Sequence, residues 1–365
     1  MITSGAPLVL LAAGGTGGHL FPAEALATAL DKHGVVVDLA TDHRAAHFKF
    51  PARSVHLVPS ATLRARNPFA LARTGSLLAI GTAKAWSLIG SIKPRVVVGF
   101  GGYPTVPPLL AANWRGVPTV LHEQNGVMGR ANRLLAPRVT KIATGFHTLK
   151  NLDPHWQDKI VFTGNPVRAQ VIAAAASPFS ALTDGKIRLL VFGGSQGARV
   201  MAEIVPQAME CLTSNLLGQL SIMQQARAED IDNVRAIYAR MGVTAEIAPF
   251  FNDLPARMAA AHLVISRSGA STVAELSAIG RPAILVPLPH ALDQDQLANA
   301  RVLEAAGGAI CIEQRDFTPK RVAAEIAALT GDTARLAGMA RAAKSVGTID
   351  AAERLAKLVL NVAGI

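Results

Sequence analysis

Two segments with the same local pattern lie about half the chain apart, and this repetition limits the possible folds more than any other feature. The apolar run Leu8–Ala13 leads into GGTGGH at residues 14–19, and Ile187–Phe192 leads into GGSQG at residues 193–197. Glycines let a backbone approach a ligand closely, and the helix that follows offers free N–H groups to an anion. The pattern predicts two similar α/β domains that face one phosphate-bearing ligand.

Composition narrows the class of partner. The chain has 365 residues, half of them hydrophobic and only 17% charged, which suits two domains with sizeable cores. Its net charge of +11 indicates an acidic partner: nucleic acid, an anionic membrane or a phosphorylated substrate. Nucleic acid is disfavoured, because aromatic residues make up only 5% of the chain and do not alternate with Lys or Arg. With only Cys211 and Cys311, the chain fits a reduced cytosol.

Short apolar runs alternate with helical patterns along the chain. The predicted strands are Leu8–Ala13, Val35–Ala40, Val55–Val58, Val96–Val98, Val117–Leu121, Ile187–Phe192, Leu220–Gln224, Ala245–Ala248, Leu263–Ser266 and Ala283–Val286. The predicted helices are Pro22–His33, Ser76–Ile92, Ala198–Thr213, Ala256–Ala261, Thr272–Ile279, Asp295–Ala306 and a terminal helix from Asp350. Continuous Val/Leu runs are typical of parallel strands buried on both faces. We therefore expect two doubly wound α/β domains with ligands at the carboxyl ends of the strands.

The first glycine loop matches neither common nucleotide motif. Leu20 stands where a dinucleotide fingerprint has its third glycine, and the Lys-Ser/Thr ending of a P-loop is missing. His19 is the more informative residue, because a helix N-terminus would lower its pKa and keep it neutral as a base. A tight turn without a ligand remains the alternative.

Three further residues are candidate ligand contacts, and for two of them a structural interpretation remains open. Arg168 follows the turn at residues 164–166 and could clamp a phosphate, or be an ordinary surface arginine. Ser195 lies among backbone amides suited to a diphosphate. Glu275 could accept both hydroxyls of a ribose, or could form a capping box with Thr272.

Acidic triplets are the only hint of a metal. Asp293–Asp295 and Asp230–Asp232 both have the pattern Asp-x-Asp, which can hold a divalent ion on a nucleotide diphosphate. Such triplets arise easily by chance, and Asp230–Asp232 lies in a charged stretch typical of a solvated helix face. We therefore expect no metal site and no cofactor.

Seven motifs together carry a specific resemblance. In chain order they are GGTGGH (14–19), GGYP (101–104), HEQNG (122–126), GNPVR (164–168), GGSQGAR (193–199), SRSGASTVAE (266–275) and QLANA (296–300). In this order they resemble the MurG family, within glycosyltransferase family 28. The resemblance covers essentially the whole chain.

The resemblance implies a GT-B fold, in which two Rossmann-like domains with doubly wound parallel sheets flank a deep cleft. The first domain would comprise residues 1–167 and 347–365, and the second residues 168–346. It also implies inverting transfer of GlcNAc from UDP-GlcNAc to the 4-hydroxyl of MurNAc in lipid I, giving lipid II and UDP.

The resemblance also assigns site residues. His19 is similar to the proposed general base, Asn125 to a contact of the GlcNAc hydroxyls, and Glu275 to the ribose contact. The complete implied substrate-binding set is Thr16, Gly17, Gly18, Asn125, Arg168, Ser195, Phe251, Ala270, Ser271, Thr272, Val273, Ala274, Glu275 and Gln296. The family often has His-Gln-Ser/Thr-Gly where this chain has Gln224–Arg227, so no contact is assigned there.

The implied setting is the cytoplasmic face of the bacterial inner membrane, with UDP-GlcNAc, lipid I, anionic lipid and a cell-wall synthesis complex as partners. The segment Leu63–Ile92 mixes cations with apolar residues, which predicts a membrane-binding patch or an ordinary packed helix. The cations are Arg64, Arg66, Arg73 and Lys84, and the apolar residues are Phe69, Leu71, Leu77, Leu78, Ile80 and Trp86. Two other functions remain open: a UDP-GlcNAc 2-epimerase and a non-catalytic nucleotide-sugar binding protein.

Overall fold

The computed structural model describes residues 5–14, 17–45, 49–61, 68–180, 185–194, 197–289 and 291–365. Contacts divide the chain into two compact units. The first unit runs to Arg168 and includes Ile349–Ile365, and the second unit is Ala169–Thr348.

A parallel sheet forms the centre of the first unit. Its described strands are β1 (Leu8–Ala12), β2 (Val36–Thr41), β3 (Ser54–Leu57), β4 (Val96–Gly99), β5 (Thr119–Glu123), β6 (Lys141–Thr144) and β7 (Ile160–Phe162). They are ordered β3-β2-β1-β4-β5-β6-β7, with every pairing parallel. The order reverses between β1 and β4, so that a crevice opens beyond their carboxyl ends.

Helices cover both faces of this sheet. They are α1 (Gly17–Asp31), α2 (Pro68–Ile92), α3 (Val106–Trp114) and α4 (Arg130–Leu135). Each residue of β1 is buried, and its alternate side chains belong to separate clusters on the two faces of the sheet. The continuous apolar run is thus explained by a strand without a solvent-facing side.

The second unit repeats this design. Its described strands are β8 (Ile187–Phe192), β9 (Leu220–Gln225), β10 (Ala245–Ala248), β11 (Leu263–Ser266), β12 (Ala283–Leu285) and β13 (Ala309–Cys311). Its described helices are α5 (Ala169–Ala174), α6 (Arg199–Glu210), α7 (Ser214–Gln219), α8 (Ile231–Arg240), α9 (Leu254–Ala260), α10 (Ala270–Ile279), α11 (Asp295–Ala305), α12 (Pro319–Thr330) and α13 (Thr333–Ser345). The order β10-β9-β8-β11-β12-β13 again reverses beside the first strand, and all pairings are parallel.

The terminal helix α14 (Ala351–Ala363) belongs to the first unit. Leu355, Ala356 and Val359 are fully buried in the same cluster as the inner side chains of α1. His33 Nε2 lies 2.9 Å from a carboxylate oxygen of Glu353, which links the ends of the two helices. The first unit therefore takes part of its core from the end of the chain.

The expectation of two doubly wound parallel-sheet domains is confirmed. The predicted bounds of β8, β10 and β11 agree with the structure. The predicted start of α1 at Pro22 is wrong, because the helix already begins at Gly17. The short strands β6, β7 and β13 were not predicted from the sequence, since each has only three or four residues and no long apolar run marks it.

Candidate functional site

His19 lies in the first turn of α1, beyond the carboxyl end of β1. Its Nδ1 is 3.3 Å from Oε1 of Gln124, which follows β5. Burial lowers the pKa of His19 below 6.5, and nearby Arg44 acts in the same direction. Contacts with Gln124 and with the Phe100 backbone oppose this shift. The ring is therefore neutral near pH 7, with burial as the main cause where the sequence suggested the helix dipole.

Gln124 connects His19 to a second, fully buried histidine. Its Nε2 donates to Nδ1 of His122 at 3.0 Å and to the His122 carbonyl at 3.1 Å. His122 in turn donates from Nε2 to the Gly164 carbonyl at 3.1 Å. Burial lowers the pKa of His122 to about 4, so this ring is also neutral. The HEQNG motif thus contains positioning residues that motif matching alone did not identify.

Glu123 organises the loop that carries Asn125. Its buried carboxylate accepts from the Asn125 backbone N–H (3.0 Å), Asn125 Nδ2 (3.2 Å), the Gly129 N–H (2.9 Å) and Asn132 Nδ2 (2.6 Å). Burial raises the pKa of Glu123, while these four donors oppose the increase. The predicted sugar contact Asn125 is therefore fixed by a neighbouring residue that the sequence analysis missed.

The GGYP loop after β4 lies against His19. Gly101 and Gly102 have φ of 82° and 72°, a left-handed region that favours glycine. A methyl group on Gly102 would lie 3.4 Å from Nε2 of His19. Glycine at this position thus leaves room beside the nitrogen that faces away from Gln124.

The remaining first-unit candidates lie around the start of α1. Gly17 and Gly18 form its first turn, whereas Thr16 lies outside the described residues. The Arg168 guanidinium is 4.2 Å from the centre of the Phe21 ring, on the same helix. Arg168 also lowers the pKa of Glu24, against the larger effect of burial. The structure therefore brings Arg168 to α1, and its contact with phosphate stays a prediction.

The glycine loop of the second unit is held by Gln225, at the end of β9. Gln225 Oε1 accepts from the Gly193 N–H at 3.0 Å, and its Nε2 donates to the carbonyls of Gly194 (3.2 Å) and Pro249 (3.1 Å). The predicted diphosphate contact Ser195 lies outside the described residues. Gln225 is in the segment that departs from the family pattern, so motif matching did not select it.

Helix α10 begins at Ala270 with Gly269 as its N-cap. The amides of Ala270, Ser271 and Thr272 belong to its first turn, where backbone N–H groups lack partners within the helix. Thr272 is therefore inside the helix, and the predicted capping box between Thr272 and Glu275 is wrong because the cap lies three residues earlier. The other predicted residues, Val273 to Glu275, complete the same first turns, with Glu275 buried.

Gln296 lies beside this helix start. Ser268 Oγ donates to the Gln296 carbonyl at 2.8 Å, and Asn299 Nδ2 donates to the Ser268 carbonyl at 3.2 Å. Gln296 Oε1 accepts from the Leu288 N–H at 3.1 Å. The structure thus brings the predicted residues 270–275 and Gln296 together at the carboxyl ends of β11 and β12.

Phe251 follows β10, on the other side of the central strand β8. Its ring is buried, and the Arg257 guanidinium lies 4.4 Å from the ring centre. Neighbouring Phe250 is 59% exposed. This packing fixes the backbone at Phe251, the group that the family resemblance assigns to uracil.

The acidic triplets do not form a metal cluster in the described part of the chain, where no three His, Cys, Asp or Glu residues are arranged to hold an ion. In the triplet Asp230–Asp232, the Asp232 side chain is 99% exposed on α8, as expected for a solvated helix face. Asp230 instead precedes the helix, with its side chain 17% exposed and paired with Arg227. Asp295 begins α11, and burial raises its pKa.

Comparison with known proteins gives the family. Residues 9–144 match the glycosyltransferase family 28 N-terminal domain, and residues 188–355 match the corresponding C-terminal domain. A UDP-N-acetylglucosamine–N-acetylmuramyl-(pentapeptide) pyrophosphoryl-undecaprenol N-acetylglucosamine transferase from Rhodopseudomonas palustris (strain HaA2) is 60% identical. That alignment covers 99% of this chain and 100% of the relative.

Solved structures agree with this result. The crystal structure of Acinetobacter baumannii MurG has a TM-score of 0.78 and 28% identity, covering 97% of this chain and 99% of that one. A UDP-GlcNAc 2-epimerase from Neisseria meningitidis aligns with a TM-score of 0.66 over 97% of this chain and 100% of the epimerase chain. Because the two sequences are only 15% identical, this match shows a shared fold and no more. With matching domains in both units and close relatives along its full length, the chain belongs to the MurG family, within glycosyltransferase family 28.

Proposed function

We propose that this protein transfers N-acetylglucosamine from UDP-N-acetylglucosamine to the 4-hydroxyl of MurNAc in lipid I, giving lipid II and UDP. The observation that carries the proposal is the 60% identity to a named transferase over 99% of the chain. The protein is an enzyme of peptidoglycan synthesis, and its reaction inverts the anomeric centre in one displacement.

His19 is the general base in this proposal. The acceptor hydroxyl must lose its proton as its oxygen bonds to the anomeric carbon, and a positioned base contributes about 10²–10⁴ in rate. The neutral His19 ring, beside the glycine at 102, supports this role.

The second unit supplies most of the proposed donor contacts. Backbone N–H groups at the start of α10 favour the negative charge that develops on the departing UDP. Phe251 is assigned to uracil, Glu275 to the ribose, and Gln296 with Asn125 to the sugar. Ser195, Arg168 and the Thr16–Gly18 loop complete the proposed contacts. Because these groups would stabilise UDP without a metal, we expect activity to persist in EDTA.

The decisive assay is UDP release from UDP-GlcNAc with and without a lipid I analogue. Transfer predicts release only when the acceptor is present, together with a disaccharide product. An epimerase would instead form UDP-ManNAc without the acceptor, and a binding protein would retain UDP-GlcNAc without turnover. Either result would contradict the proposed transfer.

We also propose that the first unit binds the cytoplasmic face of the inner membrane. Exposed apolar side chains and cations occur together on α2 and at the end of α3. Ile80, Trp86 and Trp114 are 57%, 39% and 62% exposed, and the Arg115 guanidinium lies 4.1 Å from the centre of the Trp86 ring. None of the helices that the structure describes has the length and hydropathy needed to cross a bilayer.

The membrane proposal needs a variant chosen by exposure. Leu78 packs against the first-unit core, so its substitution would disturb folding, whereas Ile80 faces solvent. Residues 63–67 and the side chains of Phe69 and Leu71 lie outside the described part of the patch. We expect Ile80→Glu to weaken binding to anionic vesicles, and Ile349→Glu, at a residue 44% exposed in the same unit, to leave it unchanged. Equal binding by the two variants, or binding insensitive to salt, would contradict docking through this patch.

A further inference from the structure

The chain of side chains from Gly164 to His19 has one consistent assignment of hydrogens. The Gly164 carbonyl can only accept, so His122 carries its hydrogen on Nε2. The neutral His122 ring then presents the lone pair of Nδ1, which accepts from Gln124 Nε2. This contact fixes the Gln124 amide with its nitrogen toward His122.

The same orientation determines what His19 can do. The second hydrogen of Gln124 Nε2 goes to the His122 carbonyl, and Oε1 faces His19 Nδ1. An amide oxygen only accepts, so the hydrogen of the neutral His19 ring lies on Nδ1. Asn165 Nδ2 donates to the Gln124 carbonyl at 2.8 Å and fixes the backbone of the linking residue.

We infer that Gln124 and His122 are positioning residues that keep the hydrogen of His19 on Nδ1 and leave Nε2 as the proton acceptor. The inference rests on the proposed function, because it names what orients the base. In the transfer step the acceptor oxygen bonds to the anomeric carbon, and its proton moves to Nε2 of His19. The bond to the phosphate oxygen breaks, and its electron pair leaves with UDP.

A neutral amide suits this role better than a carboxylate. A carboxylate at Nδ1 would orient the ring equally well but would raise its pKa, whereas Gln124 orients it without a full charge. The other groups that interact with His19 are His122 on β5, the Phe100 backbone after β4, and Arg44 after β2. Arg44 is paired with Asp42 at 2.8 Å. Of these, the Phe100 carbonyl is the competing partner for a ring hydrogen.

The direct test is the tautomer of His19, read from long-range ¹H–¹⁵N correlation spectra of protein with ¹⁵N-labelled histidine. The His19 resonances are identified as those that are missing from the spectrum of the His19→Gln variant. We expect the Nδ1–H tautomer in the wild type and a mixture in Gln124→Met, which keeps the side-chain length but removes the acceptor. An Nε2–H tautomer in the wild type, held by the Phe100 carbonyl, would overturn the inference. The measurement needs no substrate, so its result does not depend on whether the protein catalyses the proposed transfer.

Kinetics give a second, separate readout. Gln124→Glu places a negative charge at Nδ1, so the acidic limb of the pH profile of kcat/KM should move up by about one unit. Gln157→Glu, the same change at an exposed position of the first unit, should leave the profile unmoved. Gln124→Met should lower kcat about tenfold, the loss of roughly one hydrogen bond, with UDP-GlcNAc affinity unchanged. An unshifted profile in Gln124→Glu would contradict the inference.

Discussion

The two units share one sheet topology, yet their glycine loops are supported by different chemistry. In the first unit, titratable side chains with shifted pKa values lie near the loop: half-buried His19 and fully buried His122 and Glu123. In the second unit, the neutral amide of Gln225 holds the glycine loop, accepting from the Gly193 N–H and donating to the Gly194 carbonyl. This difference agrees with the proposed function, in which a residue of the first unit accepts a proton and the second unit holds the departing anion.

The largest expected effect separates these two tasks. His19→Ala should lower turnover by about 10²–10⁴-fold, because the positioned base is lost. UDP-GlcNAc binding, measured by calorimetry, should change little, since His19 is not among the proposed donor contacts. His155→Ala, at a side chain 91% exposed in the first unit, is the matched control. Similar turnover in the two variants would remove His19 from the mechanism.

The pH dependence of stability should also differ between the units. The folded state favours neutral His122, whose pKa falls from 6.5 to about 4. Its contribution is therefore present above pH 6.5 and is lost as the pH falls through 4, up to about 3 kcal/mol. His19 acts with the same sign. We expect the first unit to become markedly less stable over this range.

The chain offers a selective probe for this prediction. Its three tryptophans, Trp86, Trp114 and Trp156, all belong to the first unit, so their fluorescence reports its unfolding by denaturant. His122→Phe should be less stable at neutral pH but should show a flatter dependence on pH. A dependence as steep as that of the wild type would show that His122 is not the responsible group.

A change in the second unit should weaken UDP-GlcNAc binding without altering the protonation of His19. Gln225→Ala removes three hydrogen bonds to the glycine loop and its neighbour, so UDP-GlcNAc affinity should fall about tenfold. The acidic limb of the pH profile should stay where it is in the wild type. Gln207→Ala, at an exposed position of α6, is the control. A shift of the acidic limb of the pH profile in Gln225→Ala would contradict the proposal that the two units have separate roles.

The smallest effect comes from a matched pair of glycines. Gly102 and Gly194 have φ of 72° and 89°, so alanine at either should cost about 1–2 kcal/mol of stability. The new methyl group at Gly102 would lie 3.4 Å from His19 Nε2, whereas at Gly194 no atom of the described residues lies within 4 Å of it. At saturating UDP-GlcNAc, kcat should therefore fall in Gly102→Ala alone. Equal kcat values would show that space beside Nε2 is unimportant.

Sequence patterns predict the parts of this fold that follow from local chemistry. Continuous apolar runs identified β8, β10 and β11, since strands buried on both faces need no alternation. The pattern failed at α1, where Gly17 and Gly18 lie inside the helix despite their low propensity. It failed again at Thr272, because Gly269 offers no capping side chain by which a helix start is usually recognised.

The site shows the same limit more sharply. The motifs pointed to His19 and Asn125, but not to the side chains that orient them. Gln124 and His122 act through hydrogen bonds to residues up to 105 positions away, and no local pattern encodes such a partner. Gln225 was missed for a related reason: its role depends on the neighbouring strand β8, which the register of the sheet brings beside it.

The placement of α14 has a consequence for how the chain acquires its structure during synthesis. Residues 169–348 form one uninterrupted segment, so the second unit can fold once that segment has left the ribosome. The first unit lacks Leu355, Ala356 and Val359 until the last helix is made, although its other residues are translated first. The nascent first unit must therefore wait, with the α1 side of its core uncovered, while a whole second unit is translated. Truncation before Ala351 should leave it open to chaperones and proteases even though the second unit is intact.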